Sequence, residues 1–327
     1  MRKLTLNRHV FFLGILLTIS FSKVVFGQAY PSKPIRLIIP FTPAGITDTS
    51  GRYIAEQLTT RLGQSVVVEN HPGASGNIGT AMVANAEPDG YTLLLAFDGT
   101  MVINPNVFSK VNFDTVKDFA PIGKIGDAIL ILVANNNFPG KTLNEVIAIA
   151  KKDPNGLSYG TSGTGGTPHI AGELLKQKTG ANLVHIPYKG GGQALIDVLG
   201  GSIPLVYTAV AGANQYVSSG KLTAIAVSSA KRAPSMPNVP TFIESGIDNF
   251  EVSSWVGILA PAKTPKPIVE KLNKALNDIL QTPEAKDRLN TMGVLATPIS
   301  PEQFGNQLKV DLVRYKNIVK IANIKVE

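Results

Sequence analysis

The sequence predicts an α/β protein of two lobes, and two observations carry that reading. Strand-sized apolar runs alternate with helical patterns along the chain. One motif also occurs twice, a strand running into a small-residue loop that opens a helix: PIRLIIPFTPAGITDTSGRYIAEQL at 34–58 and LSYGTSGTGGTPHIAGELL at 157–175. Such alternation argues for parallel sheet covered by helices on both faces. A chain of 327 residues, 44% hydrophobic, is long enough to bury about two cores.

Residues 1–27 stand apart from this pattern. MRKLTLNRH is basic without an acid, VFFLGILLTISF is an apolar core of signal-peptide length, and VFG precedes Gln28. The segment is expected to be a signal peptide cleaved near Gly27/Gln28, since the apolar run is shorter than a membrane span needs. It carries Arg2, Lys3, Arg8 and Lys23 and no acid, so its removal lowers the net charge from +8 to +4. With no basic block left, nucleic acid is not an expected partner. The absence of cysteine excludes disulfides, thiolate metal sites, cysteine nucleophiles and a lipid-anchored lipoprotein. No later apolar run reaches membrane-span length, so the mature chain is expected to be exported and soluble.

The elements follow in order. IRLIIP is a buried strand, and Ile54, Leu58 and Leu62 give helical spacing from Thr47 to Leu62. SVVVEN is a second strand, HPGASGNIG a loop, TAMVANA a helix, and the turn EPDG opens the strand YTLLLAF. After DFAPIGKIGDAILILVANNN the grammar restarts: helix LNEVIAIAKKD, strand LSYGT, a Gly-rich loop into a helix, strand LVHIPY, loop KGGG and helix QALIDVLGG. IPLVYTAV, KLTAIAVSS and WVGILAP are extended, and helical stretches from KPIVEKLNKALNDILQ complete the chain.

The paired loops point to a ligand. In open α/β sheets ligands sit at the carboxyl ends of strands, where free N–H groups and the positive end of a helix favour an anion. The first loop resembles a phosphate cradle, yet no lysine lies between Pro34 and Leu58. A carboxylate held by backbone N–H groups, hydroxyls and water fits such a cradle, and small residues let the backbone approach it. Ordinary strand-to-helix turns supply the same residue types; the matched pair favours two half-cups facing across a cleft.

Six colinear phrases carry a family resemblance: YPSKPIRLIIPFTPAGITD, LGQSVVVENHPGASGNIGTAMVANAEPDGYTLLLA, YGTSGTGGTPHIAGE, IPYKGGGQALIDVLGG, GKLTAIAVSSAKRAPSMPNVPTFIESG and WVGILAPAKTPKPIVEKLN. Over residues 30–327 the chain resembles the Bug family of periplasmic solute receptors, the extracytoplasmic binding proteins of tripartite tricarboxylate transporters. The resemblance implies a Venus-flytrap periplasmic-binding-protein fold whose two α/β lobes are joined by crossing strands near Ile125–Asp127 and Ser253–Val256. Lobe one would be 28–126 plus 255–327, and lobe two 127–254. It implies a small carboxylate ligand gripped by main chain and water, no cofactor or metal, and delivery to membrane permease subunits by a monomeric receptor. The implied ligand residues are Phe41, Thr42, Ala44, Gly45, Thr47 and Asp48 in the first loop. In lobe two they are Thr161, Ser162, Gly163, Gly165, Thr167 and His169, with Tyr188 and Thr208.

Four positions depart from the family pattern. Ala44 replaces the middle glycine of Pro-Gly-Gly, His71 replaces an arginine, Gly51 replaces an alanine, and Thr208 stands where an aspartate is expected. Thr208 gives no counter-charge to an amino group, which ranks unsubstituted organic acids above amino acids as ligands.

Single residues carry plainer readings beside the functional ones. Asp48 suits a helix cap as well as a ligand contact, with Thr47 facing the cleft. His169 suits either a carboxylate bond or a structural role, Lys189 is expected to be solvated, and Trp255 to be a packed hinge residue. Ser162 with His169 invites a hydrolase reading, but GTSGT ends in Thr164 and misses the Gly-x-Ser-x-Gly elbow. Asp127, Asp153 and His185 lack metal-ligand spacing. The leading expectation is a non-enzymatic carboxylate receptor for transport; a sensor feeding a signalling partner is the alternative, and a secreted hydrolase the third.

Overall fold

The computed structural model describes residues 30–321 except 42, 44, 45, 189, 190, 251 and 253, so the leader 1–27 lies outside it. The chain begins β1 (Ile35–Ile39), α1 (Ile46–Leu62), β2 (Val66–Asn70), α2 (Asn77–Ala84), β3 (Thr92–Phe97), α3 (Asn104–Val107) and β4 (Phe119–Ala128). It continues β5 (Leu130–Asn135), α4 (Leu143–Lys152), β6 (Leu157–Thr161), α5 (Thr167–Thr179), β7 (Leu183–Pro187), α6 (Gly191–Gly200), β8 (Leu205–Ala209), α7 (Val210–Ser218) and β9 (Leu222–Val227). It closes with β10 (Ser254–Pro261), α8 (Lys266–Leu280), α9 (Pro283–Thr291), β11 (Val294–Ala296) and α10 (Pro301–Ile321). None of the described helices is long and apolar enough to cross a membrane.

Two sheets result, ordered β11-β4-β10-β3-β1-β2 and β7-β6-β8-β5-β9. Each carries apolar side chains on both faces. Leu37 and Ile39 face one layer of the first sheet and Ile38 the other, while Leu132 and Val133 divide the second in the same way. Arg36 is the exposed residue of β1 and pairs with Glu69 of β2. This two-faced burial explains why the strands read as unbroken apolar runs.

The sheets are mixed, which corrects the expectation of parallel sheet. β1 is parallel to β2 and β3, and β6 to β7 and β8, but β10 runs antiparallel to β3 and β4, and β5 antiparallel to β8 and β9. The antiparallel strands belong to the segments that leave and re-enter each sheet. Apolar patterning records burial but not strand direction.

The crossings lie side by side. β4 passes into β5 at Ile129, and the return reaches β10 at Ser254; Ser253 lies outside the described residues. The Ser228 N–H donates to Leu130 O at 2.9 Å, and Val252 N–H donates to Ser228 O at 3.1 Å, stitching the two passages together. Trp255 fills this junction as a packed hinge residue. Its ring meets Phe304 edge-on at 5.1 Å, and its Nε1–H donates to Asp311 at 3.0 Å. After β3 the chain makes a wide π-type turn, Gly99–Ile103, that buries Met101, Val102 and Ile103.

Candidate ligand-binding cleft

The loop after β1 is fixed from outside by polar side chains. Asn70, at the end of β2, donates to Phe41 O at 3.0 Å and to Asp48 at 2.8 Å. Arg52 bonds Asp48 at 3.0 Å and Asn70 Oδ1 at 2.7 Å. Asp48 is therefore a buried carboxylate held between helix and neighbouring strand, which goes beyond the helix-capping role read from its position. Thr47 is buried beside it, and the Phe41 ring stands edge-on to Phe97 at 5.6 Å. Thr42, Ala44 and Gly45 lie outside the described residues. His71, in the place of the family arginine, lies 3.2 Å from Glu69, whose carboxyl is pulled down to about 2 chiefly by its bonds with Arg36.

A second loop belongs to this lobe and was not singled out from sequence. Gly73, Ala74, Ser75 and Gly76 all have positive φ, at 134°, 47°, 53° and 90°. Two consecutive non-glycine residues in the left-handed region are strained, and the surroundings hold them there. Thr100 and Asn104 both donate to Ser75 O at 3.0 Å, and a Cβ at Gly76 would lie 3.1 Å from the Phe41 ring. The signal was the Gly-rich stretch HPGASGNIG before α2.

The loop after β6 is closed from within. Thr161 Oγ1 bonds His185 Nε2 at 2.7 Å, and Gly165 N–H donates to His169 Nδ1 at 3.1 Å. The two imidazoles stack at 3.7 Å between ring centres. Burial pushes His169 down to about 4, assisted by the Lys176 charge, and His185 down to about 3. Both rings are thus neutral at pH 7. His169 Nε2 faces Glu173 at 3.9 Å, which itself accepts from Tyr159 at 3.1 Å and pairs with Lys176 at 3.0 Å.

Four of the expected ligand residues thus have partners within the protein itself. The side chains of Thr161, His169 and Tyr188 have partners inside lobe two, Tyr188 donating to Asp197 at 2.7 Å. Thr167 donates across the junction to Asp98 of β3's carboxyl end at 2.7 Å. Residue type signalled a donor in each case, but a donor in a tight loop is as readily satisfied by its own protein.

Ser162 and Thr208 are different. A Cβ built at Gly191, the first residue of α6, would lie 3.4 Å from Thr208 Oγ1 and 3.9 Å from Ser162 Cβ. The two hydroxyl-bearing residues therefore converge on the start of α6, with α7 beginning directly after β8. Neither hydroxyl has a hydrogen-bond partner among the described residues. Gly163 and Gly165, at φ 141° and 79°, shape the loop so that Ser162 reaches this point.

The sequence profile described as Tripartite tricarboxylate transporter family receptor matches residues 51–324. The chain belongs to that receptor family. Protein BugT of Bordetella pertussis is 31% identical over 326 residues, spanning 99% of this chain and all of BugT. An Agrobacterium vitis protein from the ttuE-ttuC' intergenic region is 33% identical over 95% of this chain and 91% of its own length. Among solved structures, periplasmic binding protein BugD superposes with TM-score 0.79 at 36% identity, covering 91% of this chain and all of BugD. An R. palustris protein solved with adipate gives TM-score 0.83 at 31% identity, over 90% of this chain and 99% of that one. As a member of this receptor family the chain has the two-lobed periplasmic-binding-protein fold, and its relatives are substrate-binding receptors.

Proposed function

We propose that this receptor captures an unsubstituted organic acid between its lobes and delivers it, as a monomer, to the membrane permease of a tripartite tricarboxylate transporter. The observation that carries the reading is the convergence of Ser162 and Thr208 on the start of α6; the other lobe has its own loop-to-helix entrance after β1. Neutral hydroxyls and helix N-termini suit a carboxylate, and neither loop presents a fixed cation to it. The adipate-bound R. palustris relative and MatC from Rhodopseudomonas palustris, solved with malate at 29% identity, support the ligand class. The receptor is proposed to have no catalytic activity, a reading supported by its membership of a receptor family. We assign lobe one to 28–126 plus 255–327 and lobe two to 127–254, with export directed by residues 1–27 and their removal near Gly27/Gln28.

A thermal-shift series with adipate, malate and succinate, paired with aspartate, tests this, with calorimetry on each hit. A ligand at about 100 times its Kd adds about 2.7 kcal/mol of apparent stability. Tighter binding of aspartate than of succinate would reject the ranking, and no shift with any organic acid would reject the class.

A further inference from the structure

Asp98 has no part in the cup described above, yet it joins three separate pieces of the fold. It follows β3 directly and is fully buried. Its Oδ1 accepts from the Ser254 hydroxyl on the returning crossing strand, and its Oδ2 accepts from Thr167 Oγ1, the first residue of α5, at 2.7 Å. One turn along α5, Ile170 lies in the first lobe's core with Trp255, Phe304 and Tyr315, not in the core of its own sheet. The first turn of α5 is thus seated on lobe one by a hydrogen bond to a buried carboxyl and an apolar contact together.

We propose that Asp98 is a positioning residue for closure, a latch by which the first lobe grips the first turn of α5 and, through it, the Thr161–His169 loop. A carboxyl suits the task because its two oxygens hold two hydroxyls at once, Ser254 on β10 and Thr167 on α5: ionised it accepts from both, and protonated it donates to one and accepts from the other. Parting of the lobes separates Thr167 from Asp98 and admits water to the carboxylate.

The latch is expected to respond to pH. Burial pushes the Asp98 carboxyl up to about 7, against the opposing hydrogen bonds from Ser254, Thr167 and Gly99, and the Asp311 charge adds to the rise. From α10, Asp311 and Tyr315 act on this site, with Arg314 and Lys124 acting on Asp311 in turn. From α5 come His169, neutral through burial, and Glu173 with Lys176 further along. β3, β10 and the turn after Asp98 carry no titratable side chain. A carboxyl raised by closure from its ordinary value near 4 to about 7 takes up a proton on closing between those values. Closure is therefore favoured at low pH, weakens as pH rises from about 4 to about 7, and changes no further above that.

The proposal rests on lobe movement, as the receptor reading does, but not on any ligand, so the test uses ligand-free protein. Hydrogen exchange at the Ile170 amide, solution scattering, and the fluorescence of Trp255, the only tryptophan, read opening from about pH 5.5 to about 8. Thr167→Val, nearly isosteric, is expected to raise the open population about tenfold, and Thr167→Ser to restore it. Wild type is expected to open progressively from about pH 5.5 to about 7 and to level off above, and Asp98→Asn to abolish this pH dependence. Thr167→Val behaving as wild type, Thr167→Ser behaving as Val, or an unchanged pH dependence in Asp98→Asn would each overturn the latch. If Asp98→Asn does not fold, the Thr167 pair decides. A latch that opens in Thr167→Val while no organic acid binds wild type would leave this proposal standing and remove the ligand assignment.

Discussion

The two loop-to-helix entrances follow one pattern and are held by opposite means. After β1 the loop is tied down by Arg52, Asp48 and Asn70, with Arg52 half exposed, so its restraint is ionic and partly wet. After β6 the restraint is a neutral, buried chain in which Thr161 holds His185, His185 stacks on His169, and His169 holds Gly165. Charges near water are screened and replaceable, whereas buried neutral partners are costly to disturb. Lobe two is therefore the brittle half of the cleft.

The largest expected difference comes from two glycines at matching steps along α1 and α5. A Cβ at Gly172 would meet Tyr159 ring atoms at 2.3 Å, and that ring is locked by Glu173 and by contact with His185. Gly172→Ala should destabilise the protein by about 3 kcal/mol. At Gly51 the Cβ would meet the mobile ends of Leu95 and Ile39 at 2.6 and 2.8 Å. There the helix-propensity gain of about 1 kcal/mol offsets much of the crowding, so Gly51→Ala should change stability by less than about 1 kcal/mol. Urea melts of both variants measure this, and equal losses would break the contrast.

Acid should act next, and on lobe two. His169 titrates near 6.5 when unfolded and about 4 when folded, so its neutral form contributes stability above pH 6.5 that is lost as pH falls toward 4. By pH 5 this amounts to about 2 kcal/mol for His169, with His185 adding in the same direction. Hydrogen exchange at pH 7 and pH 5 should accelerate in 161–169 before 46–52. The reverse order would show that the ionic loop is the weaker.

Ligand contacts come third. Ser162→Ala and Thr208→Val should each weaken organic-acid binding about tenfold, or about 1.4 kcal/mol, without moving the melting temperature of the free protein. Thr208→Asp should shift preference toward an amino-bearing acid. Calorimetry with succinate and aspartate reads both effects, and unchanged affinities would move the site away from α6.

The smallest effect belongs to the exposed ion pair. Arg52→Ala should cost about 0.5 kcal/mol, because Asn70 still holds Asp48. A loss of several kcal/mol in a thermal melt would show that lobe one is as tightly locked as lobe two.

Much of this was legible in the residues themselves. The apolar runs became β1, β2, β3, β6 and β8, the Ile54–Leu58–Leu62 spacing became α1, and small-residue loops lay at both helix entrances, because burial and backbone freedom are written one residue at a time. Strand direction, the strained 73–76 turn and the partners of each polar group were not written locally. Thr161, Thr167 and His169 look like ligand donors in sequence, and only the fold brings His185, Asp98 and the Gly165 N–H to them. Asp98 reads as one more polar residue after a strand until Thr167 and Ser254, distant in sequence, meet its two oxygens. Composition fixes which groups can bond, but which of them face a ligand depends on the pairs that long-range packing has already made.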